Sequence, residues 1–330
     1  GFEWLTVLQT INRSIDQAED FYERGGGQPE IPYPGGAEYF HNISVRGFTV
    51  ADAWLVTPRL CLEELSGNTA PVKDSFLKGP DRPLYRTALQ VLNPSRKHEF
   101  SGYSQLQWLE HHVQNSGVEN TILWLGSNNS LSTVLNLEII QTRGPVDGES
   151  PHEKSHCRRA ENGWNLWHPD DFEAEYRELL TRVDGVMQQN RFHDWKVFLG
   201  TIPLVTIAPL AKGVGESTVI GNQGRYYKYY TYAPFEEDFA RATGLYLTLQ
   251  DALHIDRCIR AHNRAIESLA DEWNRRHSQQ RYWIVDVAGA LNRIAYKRNL
   301  GNPPYRFPRY FEFIYPKVNT KFYHANREGR

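Results

Sequence analysis

Three shortages limit what this chain can be. Its cysteines, Cys61, Cys157 and Cys258, are too few and too scattered for a disulfide framework. One disulfide plus a free thiol, or three buried thiols, would satisfy the count. Charge of either sign is not in excess. With 37 basic and 39 acidic residues the formal net charge is −2, which gives no field to gather nucleic acid or an anionic membrane surface. No apolar run approaches the length that spans a bilayer, so no integral membrane segment is expected. What remains is a composition 40% hydrophobic and 13% aromatic, suited to a soluble globular protein with a real core. At 330 residues it suffices for one large domain or two ordinary ones. The first residues, Gly1-Phe2-Glu3-Trp4, carry no basic or signal-like stretch, and Glu328-Gly329-Arg330 reads as mid-turn. The expectation is an internal segment of a longer protein.

The apolar spacing gives an order of elements. Leu5, Leu8, Ile15, Ala18 and Phe21 predict a helix over 3–23, which Gly25-Gly26-Gly27 and three prolines end. Residues 39–46 are rich in β formers and read as a strand, and Thr49 can cap a following helix. The stretch 66–100 is polar and proline-marked, with some helix near Leu84–Val91. Leu106, Leu109 and Val113 mark a short helix before a buried strand at 121–125. Residues 131–137 read as a helix or turn, and 141–168 as a polar insertion. Asp170 or Asp171 opens a helix to about Gln189 along Phe172, Tyr176, Leu179, Leu180, Val183 and Met187. A strand from Trp195 exits at Gly200 and Pro203. The aromatic insertion 213–247 carries Tyr226, Tyr227, Tyr229, Tyr230, Tyr232 and Phe235. Thr248 opens the longest helix, whose stripe is Ala252, Ile255, Ile259, His262, Ile266, Leu269 and Trp273, and Tyr282–Val287 is the last strand. Crossovers too long for hairpins imply a parallel sheet covered on both faces. The whole, 1–330, reads as a single α/β domain, three-layer α/β/α, with insertions at about 66–100, 141–168 and 213–247.

Chemistry concentrates at one strand tip. Gly126-Ser127-Asn128-Asn129 follows the strand at 120–125, and in an open α/β sheet ligands bind at such carboxyl ends. A carboxamide there can donate to a transient oxyanion without bringing charge. Ordinary turn chemistry would also place Gly, Ser and Asn there. The block resembles the Gly-x-Asn-Asp block of the SGNH (GDSL-type) serine esterase and lipase superfamily, with Asn129 in place of Asp. Upstream, the segment Tyr39 to Asp52 resembles that family's second block, a strand ending at Gly47.

The resemblance implies a flavodoxin-like α/β/α fold with a mainly parallel sheet. It also implies ester hydrolysis by a serine nucleophile, with the Gly47 N–H and the Asn128 side chain holding the oxyanion. A small-molecule or lipid ester would be the substrate, with no metal and no organic cofactor. The chain holds no Gly-Asp-Ser and no Asp-x-x-His near its C-terminus. The implied reading is therefore a fragment that lacks the first strand and both triad blocks and is inactive alone. The strands at 39–46 and 120–125 should then flank an empty slot.

Other readings compete with this one. Ser127 or Ser130 with one of twelve histidines could form an internal triad, but His262 lies on an apolar stripe, as a core histidine would. His152-Glu153-Lys154-Ser155-His156 matches His-Glu-x-x-His formally. Polar flanks and the absence of an apolar helical face make it read as a chance match in a surface insertion. The tyrosines at 226–232 could line a carbohydrate or lipid site in a non-catalytic module, or pack the insertion onto the body. Asp286 ends its strand as a site residue or a helix cap.

Overall fold

The computed structural model describes residues 36–66, 81–142, 163–208, 210–232 and 235–295. In chain order, helices α1 (Asp52–Leu55), α2 (Pro58–Ser66), α3 (Asp81–Leu92) and α4 (Gln105–Asn115) precede strand β1 (Asn120–Leu123). Helix α5 (Asn128–Asn136), helix α6 (Pro169–Met187) and strand β2 (Lys196–Gly200) follow. Next come strands β3 (Ala211–Val219) and β4 (Arg225–Tyr232), helix α7 (Glu237–Thr243), strand β5 (Leu247–Thr248) and helix α8 (Leu249–Asn274). Strand β6 (Tyr282–Val285) and helix α9 (Val287–Ile294) complete the described chain.

The fold is mixed α/β with a three-stranded parallel sheet in the order β1-β2-β6. Its register aligns Thr121 with Val197 and Tyr282, and Ile122 with Phe198 and Trp283. Because alternate residues face opposite sides, Val197, Leu199 and Tyr282 look into the core, where α6 and α8 pack together. The opposite face shows Ile122 77% exposed, with Trp124, Trp283 and Val285 also open. Cover on both faces was expected; among the described residues helices bury one. Nor, among those residues, does any strand pair with the outer edge of β1.

The longest helix begins where its sequence says it should. Thr248 and Asp251 form a capping box in which the Thr248 hydroxyl accepts from the Asp251 N–H and the Asp251 carboxylate accepts from the Thr248 N–H. Every member of the expected stripe from Ala252 to Trp273 is buried. Helix α4 likewise starts on a Ser104–Gln107 capping box. Helix α6 is capped two residues or more before the expected Asp170 or Asp171. Pro169 fills a first-turn position that needs no N–H, so His168 becomes the cap and accepts from the Asp170 N–H at 3.3 Å.

One expectation here changes. Residues 39–46 form no strand: Val45 is buried in a second core with Phe48, Leu84, Tyr85, Leu89, Leu92 and Trp108, and the Tyr39 ring packs at a tilt against Trp108. Side-chain packing on α3 and α4, not a β ladder, fixes this segment. Within 66–100 the helix expected near Leu84–Val91 is α3, somewhat longer at its start, and it lies along α2. Its polar residues occupy one face while Leu84, Tyr85, Ala88, Leu89 and Leu92 fill the other. The expected helix at 3–23 lies outside the described residues. No described helix is long and apolar enough to cross a membrane.

Candidate functional site at the tip of strand β1

After β1 the chain passes through Trp124 and Leu125 to Gly126, which adopts φ +113°. A Cβ at this position would stand 2.5 Å from Ile202 Cδ1 and 2.9 Å from Phe172 Cε2, so only glycine lets the backbone pass this close. Helix α5 begins at once, with the Asn129 N–H donating to the Gly126 carbonyl at 3.1 Å. The two asparagines thus occupy the first helical turn, at the carboxyl end of a parallel strand.

Residues 45–50 arrive at the same place from the other core. Phe48 N–H donates to Val45 O at 3.4 Å, and Gly47 closes this turn at φ +93°. Asn128 Nδ2 donates to the Phe48 carbonyl at 2.9 Å, and Asn129 Oδ1 accepts from the Val50 N–H at 3.2 Å. Gly47 and Asn128, far apart in sequence, are therefore brought together across a single residue. The Asn128 carboxamide has a second N–H, and among the described residues nothing accepts from the Gly47 N–H. Thr49, expected as an N-cap acceptor, instead donates its N–H and hydroxyl to Asp52 Oδ2 at 2.7 and 2.8 Å.

Behind the turn lies a buried polar layer that the sequence did not single out. Trp167 Nε1 donates to Glu175 Oε1 at 2.9 Å, Asn129 Nδ2 reaches Glu175 Oε2 at 3.5 Å, and the Trp167 N–H donates to the Asn129 carbonyl at 3.0 Å. Burial first, and then the nearby Asp52 and Asp171, push the Glu175 carboxyl well above its ordinary range; the indole and amide donors oppose this. The setting explains the amide at 129. An aspartate there would add another carboxylate beside Glu175 and could not donate to it. The available signal was the position of Glu175 on the apolar side of α6, between Phe172 and Tyr176.

His262 is a core histidine. Its ring stacks on Phe172 with centroids 4.1 Å apart, and its Nε2 lies 3.1 Å from the Trp167 carbonyl. Burial lowers its pKa to about 3, so it is neutral and no base for a nearby hydroxyl at neutral pH. The unfolded chain binds this proton near the ordinary value of 6.5 and the folded chain only near 3. Between those values the unfolded state holds more protons, so stability falls as pH falls. We expect the wild type to lose, relative to His262→Phe, up to about 1.4 kcal/mol per pH unit in that window. Urea denaturation of both proteins from pH 7 to pH 3 measures it, and parallel curves would refute it.

Other candidates resolve differently. Among the described residues no histidine hydrogen-bonds Ser127 or Ser130, and Ser130 Oγ donates to the Ser127 carbonyl at 3.2 Å. The chain does contain an Asp-x-x-His spacing, at Asp251 and His254. There the aspartate caps α8, and the imidazole Nε2 lies 2.9 Å from Gln141 Oε1. Asp286 caps α9 through the Gly289 N–H at 2.7 Å. Tyr226 and Tyr230 are fully buried on β4, the Tyr226 hydroxyl donates to Asp256 at 2.5 Å, and the Tyr232 hydroxyl donates to the Leu135 carbonyl at 2.7 Å. Tyr226 and Tyr230 pack the β-hairpin onto α8, while Tyr227, Tyr229 and Tyr232 are half-buried. The match at His152–His156 lies outside the described residues, among which no group of three or more His, Cys, Asp or Glu side chains could hold a metal ion.

No protein-family model, curated protein or solved structure matches this chain.

Proposed function

We propose that this chain is the greater part of an SGNH-type serine hydrolase acting on esters, of carboxylesterase or lipase kind. In this reading the Gly47 N–H and the Asn128 carboxamide hold the oxyanion. The observation that supports it most is the 2.9 Å contact from Asn128 to the carbonyl next to Gly47, at the carboxyl end of a parallel strand. Attack on an ester carbonyl moves negative charge onto its oxygen, and neutral donors fixed beforehand stabilise that charge without reorganising. The Asn128 amide is fixed by spending one N–H on Phe48, which leaves the other for a ligand. The positive φ of Gly47 sets the direction of its own N–H.

The finer architecture belongs to the same reading: a three-layer α/β/α domain whose nucleophile-bearing strand pairs with the open edge of β1. The serine and its His–Asp base come from sequence beyond these residues, and the segment alone is inactive. The full-length protein should hydrolyse p-nitrophenyl acetate without added metal and lose that activity, with covalent labelling, on treatment with a fluorophosphonate. Hydrolysis that survives complete labelling, or a full-length protein without Gly-Asp-Ser upstream, would end the assignment.

A further inference from the structure

We infer that Glu175 is the positioning residue of the candidate oxyanion site, its buried carboxyl group holding Asn129, and through it the 47–50 turn, against the tip of β1. The catalytic consequence rests on the function proposed above; the positioning itself does not.

Two routes run from Glu175 to the turn. The direct one is the Asn129 Nδ2 contact at 3.5 Å, with the other end of that amide accepting from the Val50 N–H at 3.2 Å. The indirect one passes through Trp167, whose indole donates to Glu175 at 2.9 Å and whose backbone N–H donates to the Asn129 carbonyl at 3.0 Å. His262 steadies the same residue through the Trp167 carbonyl. Val50, Asn129, Trp167 and Glu175 are all fully buried, so no water replaces a lost partner at low cost. Asn128 then grips Phe48 from the adjoining position. Consecutive asparagines clamp one turn, and only the second is anchored in the core.

The carboxyl group does this as a neutral acid. The ionisable groups around it are Asp52, from α1, and Asp171, on its own helix; they face it with charge of its own sign. Trp167 and Asn129 supply the donors. A neutral carboxyl keeps lone pairs on both oxygens, so both contacts persist while a third buried negative charge is avoided. The sign for stability follows. The unfolded chain releases this proton near 4.5 and the folded chain only well above it, so the site loses stability as pH rises through that interval.

The experiment compares the full-length protein with Glu175→Gln, which keeps the volume, the neutrality and the indole bond, and with Glu175→Ala, which keeps none of them. Hydrogen–deuterium exchange of the 47–52 segment should accelerate about tenfold in the alanine variant, the equivalent of one hydrogen bond of ordinary net worth. Exchange in the middle of α8 should not change, and the glutamine variant, which keeps the Trp167 route but presents an NH2 where Asn129 Nδ2 needs an acceptor, should fall between wild type and alanine. Unchanged exchange at 47–52 in the alanine variant, or exchange in the glutamine variant as fast as in alanine, would overturn the inference.

If the alanine variant does not fold, the glutamine variant decides. The stability it gains over wild type should grow as pH rises above the ordinary carboxylate range, and a gap independent of pH would overturn the inference. Ester hydrolysis is a separate arm. A fall in kcat at constant KM in the alanine variant, partly restored in glutamine, would extend the positioning role to catalysis. Absence of hydrolysis in the wild type would remove the proposed function while exchange and pH dependence still decide the role of Glu175.

Discussion

Asn128→Ala should lower kcat for ester hydrolysis by the full-length protein about 100- to 1000-fold and leave KM nearly unchanged. The split between the two constants is the informative part. An amide that meets the substrate only once charge has developed on its carbonyl oxygen contributes to the transition state and not to ground-state binding. The same substitution removes the bond to the Phe48 carbonyl, a part-buried contact worth about 1 kcal/mol. The variant should therefore fold, with a small loss measurable by urea denaturation. Steady-state kinetics on a soluble ester series provides the check. A rise in KM matching the fall in kcat/KM would make Asn128 a binding residue, and unaltered rates in a folded variant would remove it from the chemistry.

Gly126→Ala should cost stability on a scale few single methyl groups reach. The residue sits at φ +113°, and its Cβ would meet Ile202 at 2.5 Å and Phe172 at 2.9 Å. Conformational strain of about 1–2 kcal/mol and overpacking of about 1–3 kcal/mol together give roughly 2–5 kcal/mol. Phe172 cannot move aside freely because His262 stacks on its ring. Gly244→Ala is the natural control: φ there is +71°, and nothing lies within 4 Å of the added carbon. It should show the strain without the clash. Equal denaturation midpoints for the two variants would mean that the loop after β1 moves to accommodate the methyl group, against the crowding described.

The parts of this fold that could be read from the sequence are those in which local pattern and tertiary demand coincide. The stripe on α8 and its Thr248 cap are examples, because a period near 3.6 and a cap residue are written in adjacent letters. The strand before Gly126 also lay within reach, from its run of apolar and β-forming residues, although its ladder ends at Leu123; the approach of Gly47 to Asn128 was suggested only by the family resemblance. Residues 39–46 misled because β-forming side chains such as Tyr39, Ile43 and Val45 serve equally well to fill a gap between helices. Period 2 was never clear there. Glu175 stayed hidden for a different reason. A glutamate on a helix is ordinarily solvated, and nothing local reports that Trp167 and Asn129 will enclose it. For the tyrosines of β4 the sequence offered packing onto the body beside a ligand site, and which rings are buried depends on the face of the hairpin that α8 covers, settled only in three dimensions.

The short length of β1 also bears on behaviour in concentrated solution. A bare strand margin invites another chain to add itself, and the risk grows with the number of consecutive backbone groups on offer. Here the margin is four residues long, Asn120 to Leu123, and Trp124 immediately leaves it to lie over Gly200 and donate to the Thr201 carbonyl at 3.2 Å. A strand of four residues offers few consecutive backbone groups, which limits how far an unfolded neighbour could zip along it.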